Sequence, residues 1–198
     1  MLLLLAFVLA GFSAAMAQSI AVDVSNSRLI VRVFRSGLFS GFAHDHEISA
    51  PLSGGEFDPT AMRVQVRFDV RKMQVLDTEA SVSDRAKIQA TMLSEKVLDA
   101  QRFPEITFTS QRIVPGGNGA YTVEGELTLH GVSRRLTVPV SLSNGRYIGS
   151  VKLNQTAYGI KPVKLFGGTV KVKDQVQITF EVVPLRWSDG QQAASRRR

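Results

Sequence analysis

The sequence predicts an all-β fold: an antiparallel, up-and-down barrel of about eight strands carrying one short helical insertion. Three observations predict it. Between Pro104 and Leu142, apolar and polar side chains alternate in three consecutive runs separated by turn residues, the pattern of strands with one dry face. The same period of two recurs in Met62 to Val70, Arg146 to Gln155 and Thr169 to Val183. Finally, only the stretch after Asp77 switches to a helical period, so the other segments form one sheet, and closing it removes edges that would template aggregation.

The chain of 198 residues suffices for one domain with its own core. Residues 1–17 read as a signal peptide, 18–185 as the barrel domain and 186–198 as a flexible basic tail. An unbroken apolar run, Leu2 to Ala10, leads to Ala15-Met16-Ala17, which suits signal-peptidase cleavage before Gln18; the n-region offers only its terminal amine. The run is too short to span a bilayer comfortably. Export to a periplasm, or secretion, is the expected destination. Cysteine is absent, which excludes a disulfide framework, a thiolate metal site and a cysteine nucleophile. The net charge of +7, from 24 basic and 17 acidic side chains, favours anionic surfaces such as lipid head groups. Those basic residues are spread along the strands without a nucleic-acid motif or aromatic stacking cluster, so nucleic acid is not an expected partner.

In chain order, Ser19 to Val24 and Leu29 to Phe34 read as two early strands divided by Asn26-Ser27, the second with apolar residues on both faces. Ser36 to Ala50 gathers glycines, aromatics and the pair His44 and His46, whose i, i+2 spacing points both imidazoles to one face of a strand. Met62, Val64, Val66, Phe68 and Val70 alternate with Arg63, Gln65, Arg67, Asp69 and Arg71. The helix is expected to start at Ser83 as N-cap with Asp84 in its first turn, and Ser94 to cap a second turn. It should lie against the outside or one mouth of the sheet. Ile106 to Ser110 begins the next strand, "PGGNG" at Pro115 to Gly119 reverses it, and Tyr121, Val123, Leu127 and Leu129 share one parity. After the break at His130-Gly131, Leu136, Val138, Val140 and Leu142 share another. In Arg146 to Gln155, Ile148, Val151 and Leu153 are the apolar positions and Gly149 leaves room for a bulge.

Three motifs in order, "RFPEITFTS" from Arg102, "GELTLHGVSRRLTVPV" from Gly125 and "AYGIKP" from Ala157, resemble the YceI-like family of exported, lipocalin-shaped bacterial proteins. The resemblance spans roughly Phe57 to Val183. It implies a barrel that encloses a long, polyisoprenoid-type lipid. The compact "HDH" at His44 to His46 departs from the single histidine and longer loop of related sequences, so contacts at the barrel entrance do not carry over directly.

A lipid-binding carrier for an isoprenoid-like or fatty amphiphile is therefore the expected function. Its candidate ligand-binding residues are Phe68, Phe108, Leu127, Leu129, Leu153, Tyr158, Ile160, Phe166 and Phe180, with His44 and His46 either a structural pair hydrogen-bonded at a barrel end or contacts for the head group. Around Tyr158, Ile160 and Phe166, Lys161 and Lys164 interleave amines with an apolar wall, which suits a tail and an anionic head as well as it suits a core-covering loop. Two alternatives stand beside the carrier. One is a filled, non-catalytic scaffold linked to stress; the other is a metal protein using His44, His46 and His130. Two histidines without a carboxylate at ligand spacing do not define a metal site, and no metal or other cofactor is called for. Turnover is not expected either, because no serine–histidine–acid order or carboxylate pair is present. Transient contact with an anionic membrane surface is the further partner expected, while pairing into a homodimer is left open by the sequence. Periodicity also leaves open whether the barrel is hollow, since inward side chains look alike in a filled core and a lined cavity.

Overall fold

The computed structural model describes residues 19–36, 45–165 and 170–185. The expected signal peptide, basic tail, His44 and Phe166 lie outside the described residues. The strands are β1 (Ile20–Ala21), β2 (Arg28–Ser36), β3 (His46–Ser49), β4 (Leu52–Asp58), β5 (Arg63–Asp69), β6 (Gln74–Val75), β7 (Glu105–Gly117), β8 (Ala120–Leu129), β9 (Val132–Ser143), β10 (Arg146–Asn154), β11 (Lys164–Leu165) and β12 (Val170–Val182). One helix, α1, spans Val82–Leu93. Every pairing is antiparallel, in the order β1-β4-β5-β7-β8-β9-β10-β12-β2-β3-β6 with β11 hairpinned onto β12.

The strand count exceeds the expected eight because three staves of the barrel are each broken into two named pieces and the short β11 adds a twelfth strand beside β12. β3 and β4 are one bent strand interrupted at Ala50-Pro51: its first half pairs with β2 and β6, its second with β1 and β5. β5 and β6 are likewise one strand interrupted by a 3-10 turn at Val70–Lys72. β1 and β2 flank a turn in which the Asp23 carboxylate accepts from the backbone N–H of Ser25 and Asn26. The ring closes because β12 pairs with β2, while Val22 bridges Pro184 beyond the end of β12.

Local chemistry sets the reversals. Asn118-Gly119, His130-Gly131 and Asn144-Gly145 all have φ between +49° and +75°, the doubly left-handed geometry of two-residue hairpins whose twist matches the strands. Histidine is among the few non-glycine types that tolerate this region. α1 starts two residues earlier than expected. Ser81, not Ser83, is the N-cap, accepting from the N–H of Asp84 at 3.0 Å. Ser94 is its C-cap and also accepts from the N–H of Val97 at 3.1 Å, opening the turn that follows. Gly149 marks no bulge, since β10 keeps an unbroken register through it to β12 and reaches it in register with β9, whose ladder ends there. A Cβ at Gly149 would stand 2.3 Å from Cζ of Phe180, so the missing side chain makes room for that ring.

Candidate functional site

Inside the ring lies a cavity of about 710 Å³. The period-two sets predicted from the sequence form its wall: Val64, Val66 and Phe68 on β5, Tyr121, Val123, Leu127 and Leu129 on β8, and Leu136, Val138 and Val140 on β9. Phe108, Ile178 and Phe180 point inward yet stay only partly buried, because they face open space rather than side chains from across the axis. The filled-scaffold alternative, which requires those side chains to meet, does not fit this lumen. Its volume is in the range of sites that bury a small organic ligand or a folded alkyl chain, and each methylene taken from water is worth about 0.8 kcal/mol.

The two ends differ in chemistry. At one end Phe57, Tyr121 and Tyr147 approach with ring centroids 6.1 and 6.3 Å apart, an aromatic cluster beside Met62. Burial pushes the Tyr147 hydroxyl above its usual range, and the neighbouring Tyr121 adds to the shift. At the other end the wall turns polar. His46, Asp84, Lys87, Thr91 and Gln155 line it there, contributed by β3, α1 and the residue after β10.

α1 forms part of this polar mouth and is tied to the sheet by the amide of Gln89, with Arg85 donating to the carbonyl of Asp77 at 3.3 Å. The Gln89 Oε1 accepts from the N–H of Val75 and its Nε2 donates to the carbonyl of Met73, both at 2.8 Å. The helix thereby satisfies groups on the free edge of β6, and Ile88, Met92 and Leu98 complete the apolar surface beneath it. His46 is fixed by Asp77, whose carboxylate meets its Nδ1 at 2.5 Å and accepts from the N–H of Glu47 at 2.9 Å. That carboxylate is 4% exposed.

Of the expected contact residues, Phe68, Phe108, Leu127, Leu129, Leu153, Ile160, Phe180 and His46 are brought together around one lumen. Tyr158 is not on its surface. It is buried in a 3-10 turn (Gln155–Tyr158), where its carbonyl meets Nδ1 of His130 at 3.2 Å. Burial pushes its hydroxyl up, against the opposing effect of the Arg134 guanidinium. His130 is engaged separately in the β8–β9 turn, its ring 4.5 Å from that of Phe103. Among the described residues no group of three histidines or acids is arranged to hold a metal ion.

Sequence reasoning passed over Phe57, Met73, Asp77, Gln89 and Tyr147. Tyr147 carried a usable signal, because it shares parity with Val151 and Leu153, whereas Ile148 faces outward and is 42% exposed. Gly149 in the same row hid that parity.

A family model described as the YceI-like domain matches residues 21–183. A UPF0312 protein of Vibrio campbellii is 39% identical over 64 residues, 32% of this chain and 34% of that protein. Another, from Shewanella baltica, is 30% identical over 102 residues, 52% of this chain and 46% of the relative. The chain thus covers less than half the length of these curated relatives. Among solved structures, the crystal structure of Burkholderia cenocepacia BcnA superposes with a TM-score of 0.59 at 23% identity, covering 81% of this chain and 98% of that one. At that identity the likeness concerns the fold.

Proposed function

The chain belongs to the YceI-like family, and from that premise we propose that it is an exported binding and carrier protein for a long-chain, isoprenoid-like amphiphile held in the barrel. The observation that carries the reading is the lumen itself: an apolar tube whose polar groups gather at the mouth beside α1 and, as tyrosines, at the opposite end. An aliphatic or isoprenoid tail fits the tube, and a polar head belongs at the mouth. Binding, rather than turnover, is the role proposed.

Transfer from a bilayer gains little from burial alone, since the tail leaves one apolar medium for another. Shape and head-group contacts must supply the difference. The periplasm is the proposed place of action, and a lipid-bearing membrane the proposed source of cargo.

Native mass spectrometry of protein exported with its own leader and purified without detergent tests the proposal. The expected result is an adduct with the mass of a long-chain lipid, displaced by a fluorescent apolar probe such as N-phenyl-1-naphthylamine. A bare mass together with no uptake of that probe would overturn it.

A further inference from the structure

Beside the polar mouth is a second concave site lined by Ser36, Lys161, Pro162, Lys164, Lys171, Val172, Lys173 and Asp174. Its four lysines come from two passes of the chain, Lys161 and Lys164 before and on β11, Lys171 and Lys173 on β12. Lys164 and Lys171 are direct cross-strand partners. Like charges opposed on a ladder are destabilising, so the fold maintains this pairing against a repulsion. None of the four makes an ion pair among the described residues, and all four are exposed. Asp174, the acidic member, is already engaged: its two oxygens accept from the N–H and Oγ1 of Thr156 at 2.8 and 2.7 Å.

This charge is joined to the lumen through one side chain. Val172 lines both cavities, and its N–H donates to the carbonyl of Val163, which lines the lumen while the adjacent Pro162 lines the lysine site. Strand alternation puts Lys171 and Lys173 on one face of β12 and Val172 on the other. The site is also braced, because Gln155, at the mouth, donates through Nε2 to the carbonyl of Lys173 at 2.9 Å.

We propose that Lys161, Lys164, Lys171 and Lys173 form a phosphate-binding pocket that takes the anionic head of an amphiphile whose tail lies in the lumen and leaves it over the polar mouth beside Gln155. The inference rests on the carrier reading above and names the class of its cargo. Ammonium groups act as point charges on phosphate oxygens, and an anion among the four lysines relieves their mutual repulsion.

The test is displacement of N-phenyl-1-naphthylamine from the full chain by dodecyl phosphate and by dodecanol, at low and high salt. The phosphate ester should bind about tenfold or more tighter, as expected for charge-assisted hydrogen bonds, and salt should shrink that advantage. In K161Q/K164Q/K171Q/K173Q the advantage should vanish while dodecanol affinity stays unchanged, which also reports an intact barrel. The four corresponding Lys→Arg changes should retain it. Equal affinity of both compounds for the wild type, or a preference that survives the glutamine changes, overturns the inference and leaves the carrier reading standing. So does a glutamine variant that loses only adhesion to phosphatidylglycerol vesicles, since the lysines would then be bilayer contacts. Failure of both compounds and the probe to enter the wild type sinks the carrier reading itself.

Discussion

The Asp77 carboxylate ties the start of β3 to the chain ahead of α1, so removing it should loosen the mouth of the barrel. In Asp77→Ala the half-buried N–H of Glu47 loses an acceptor 2.9 Å away, and His46 loses its 2.5 Å partner. A hydrogen bond to a charged group contributes roughly 1.5–3 kcal/mol, and a stranded buried donor costs about 1–3 kcal/mol. With partial relief by water at the rim, a net loss of about 3 kcal/mol is expected. Asp77→Asn should cost about 1 kcal/mol, because the amide oxygen still accepts from Glu47 while its Nδ2 donates to the other histidine tautomer. Urea unfolding followed by far-ultraviolet circular dichroism measures both. At a slope near 2 kcal/mol per molar urea, the alanine midpoint should fall by about 1.5 M and the asparagine midpoint by about 0.5 M. An alanine variant within about 0.5 kcal/mol of wild type, or equal effects of the two changes, would refute the assignment of this carboxylate as an anchor.

Gly149→Ala should destabilise the barrel by about 1–3 kcal/mol, because the new methyl stands 2.3 Å from Phe180 and 2.7 Å from the Pro139 carbonyl oxygen. Phe180→Leu in the same chain should recover part of that loss, as a thermal double-mutant cycle would show. Gln89→Ala should leave the strand ladders intact but raise amide exchange at Val75 and through α1, read by hydrogen–deuterium exchange. Tyr147 and Tyr158 are raised by burial, so their contribution is full below the unfolded tyrosine value near 10 and is lost as pH climbs through their higher folded values. Alkaline titration at 295 nm of Tyr147→Phe and Tyr158→Phe should each remove a late-titrating phenol, and an unchanged high-pH limb would contradict the burial. Finally, Leu127→Trp should obstruct the lumen and abolish uptake of an apolar probe without dismantling the fold; undiminished uptake would show the probe bound elsewhere.

Much of this wall was legible because a strand with one apolar face repeats every second residue. Val64, Val66 and Phe68 faced inward as their alternation with Arg63, Gln65 and Arg67 required. The hairpin at Asn118-Gly119, inside "PGGNG", was readable in local terms too, since its two positive φ values suit that dipeptide. What escaped was non-local. Nothing around Ala50-Pro51 announces that one strand changes partners there, because the partners lie on β2 and β5. Asp77 reaches back to His46 and Glu47 across thirty residues, and no spacing rule links them. The helix cap fell on Ser81 rather than Ser83 because the backbone leaves the helix at Ser81 (φ −59°, ψ 155°), which lets its hydroxyl meet the Asp84 N–H, while Ser83 is already helical. An empty interior is invisible for a simpler reason: inward valines read the same whether they touch carbon or space.

The closing ladder between β12 and β2 joins stretches from opposite ends of the polypeptide, and the N–H of Val183 reaches the Ser27 hydroxyl across 156 positions. A chain delivered amino end first therefore pairs β2 with β3 early but leaves the other edge of β2 open until β12 arrives, and such distant closure makes assembly slow. During that wait, the greasy inner faces of the intervening hairpins are uncovered. The same juxtaposition means that fusing the two ends and cutting at Asn144-Gly145 should give a rearranged polypeptide that still rolls into the same tube.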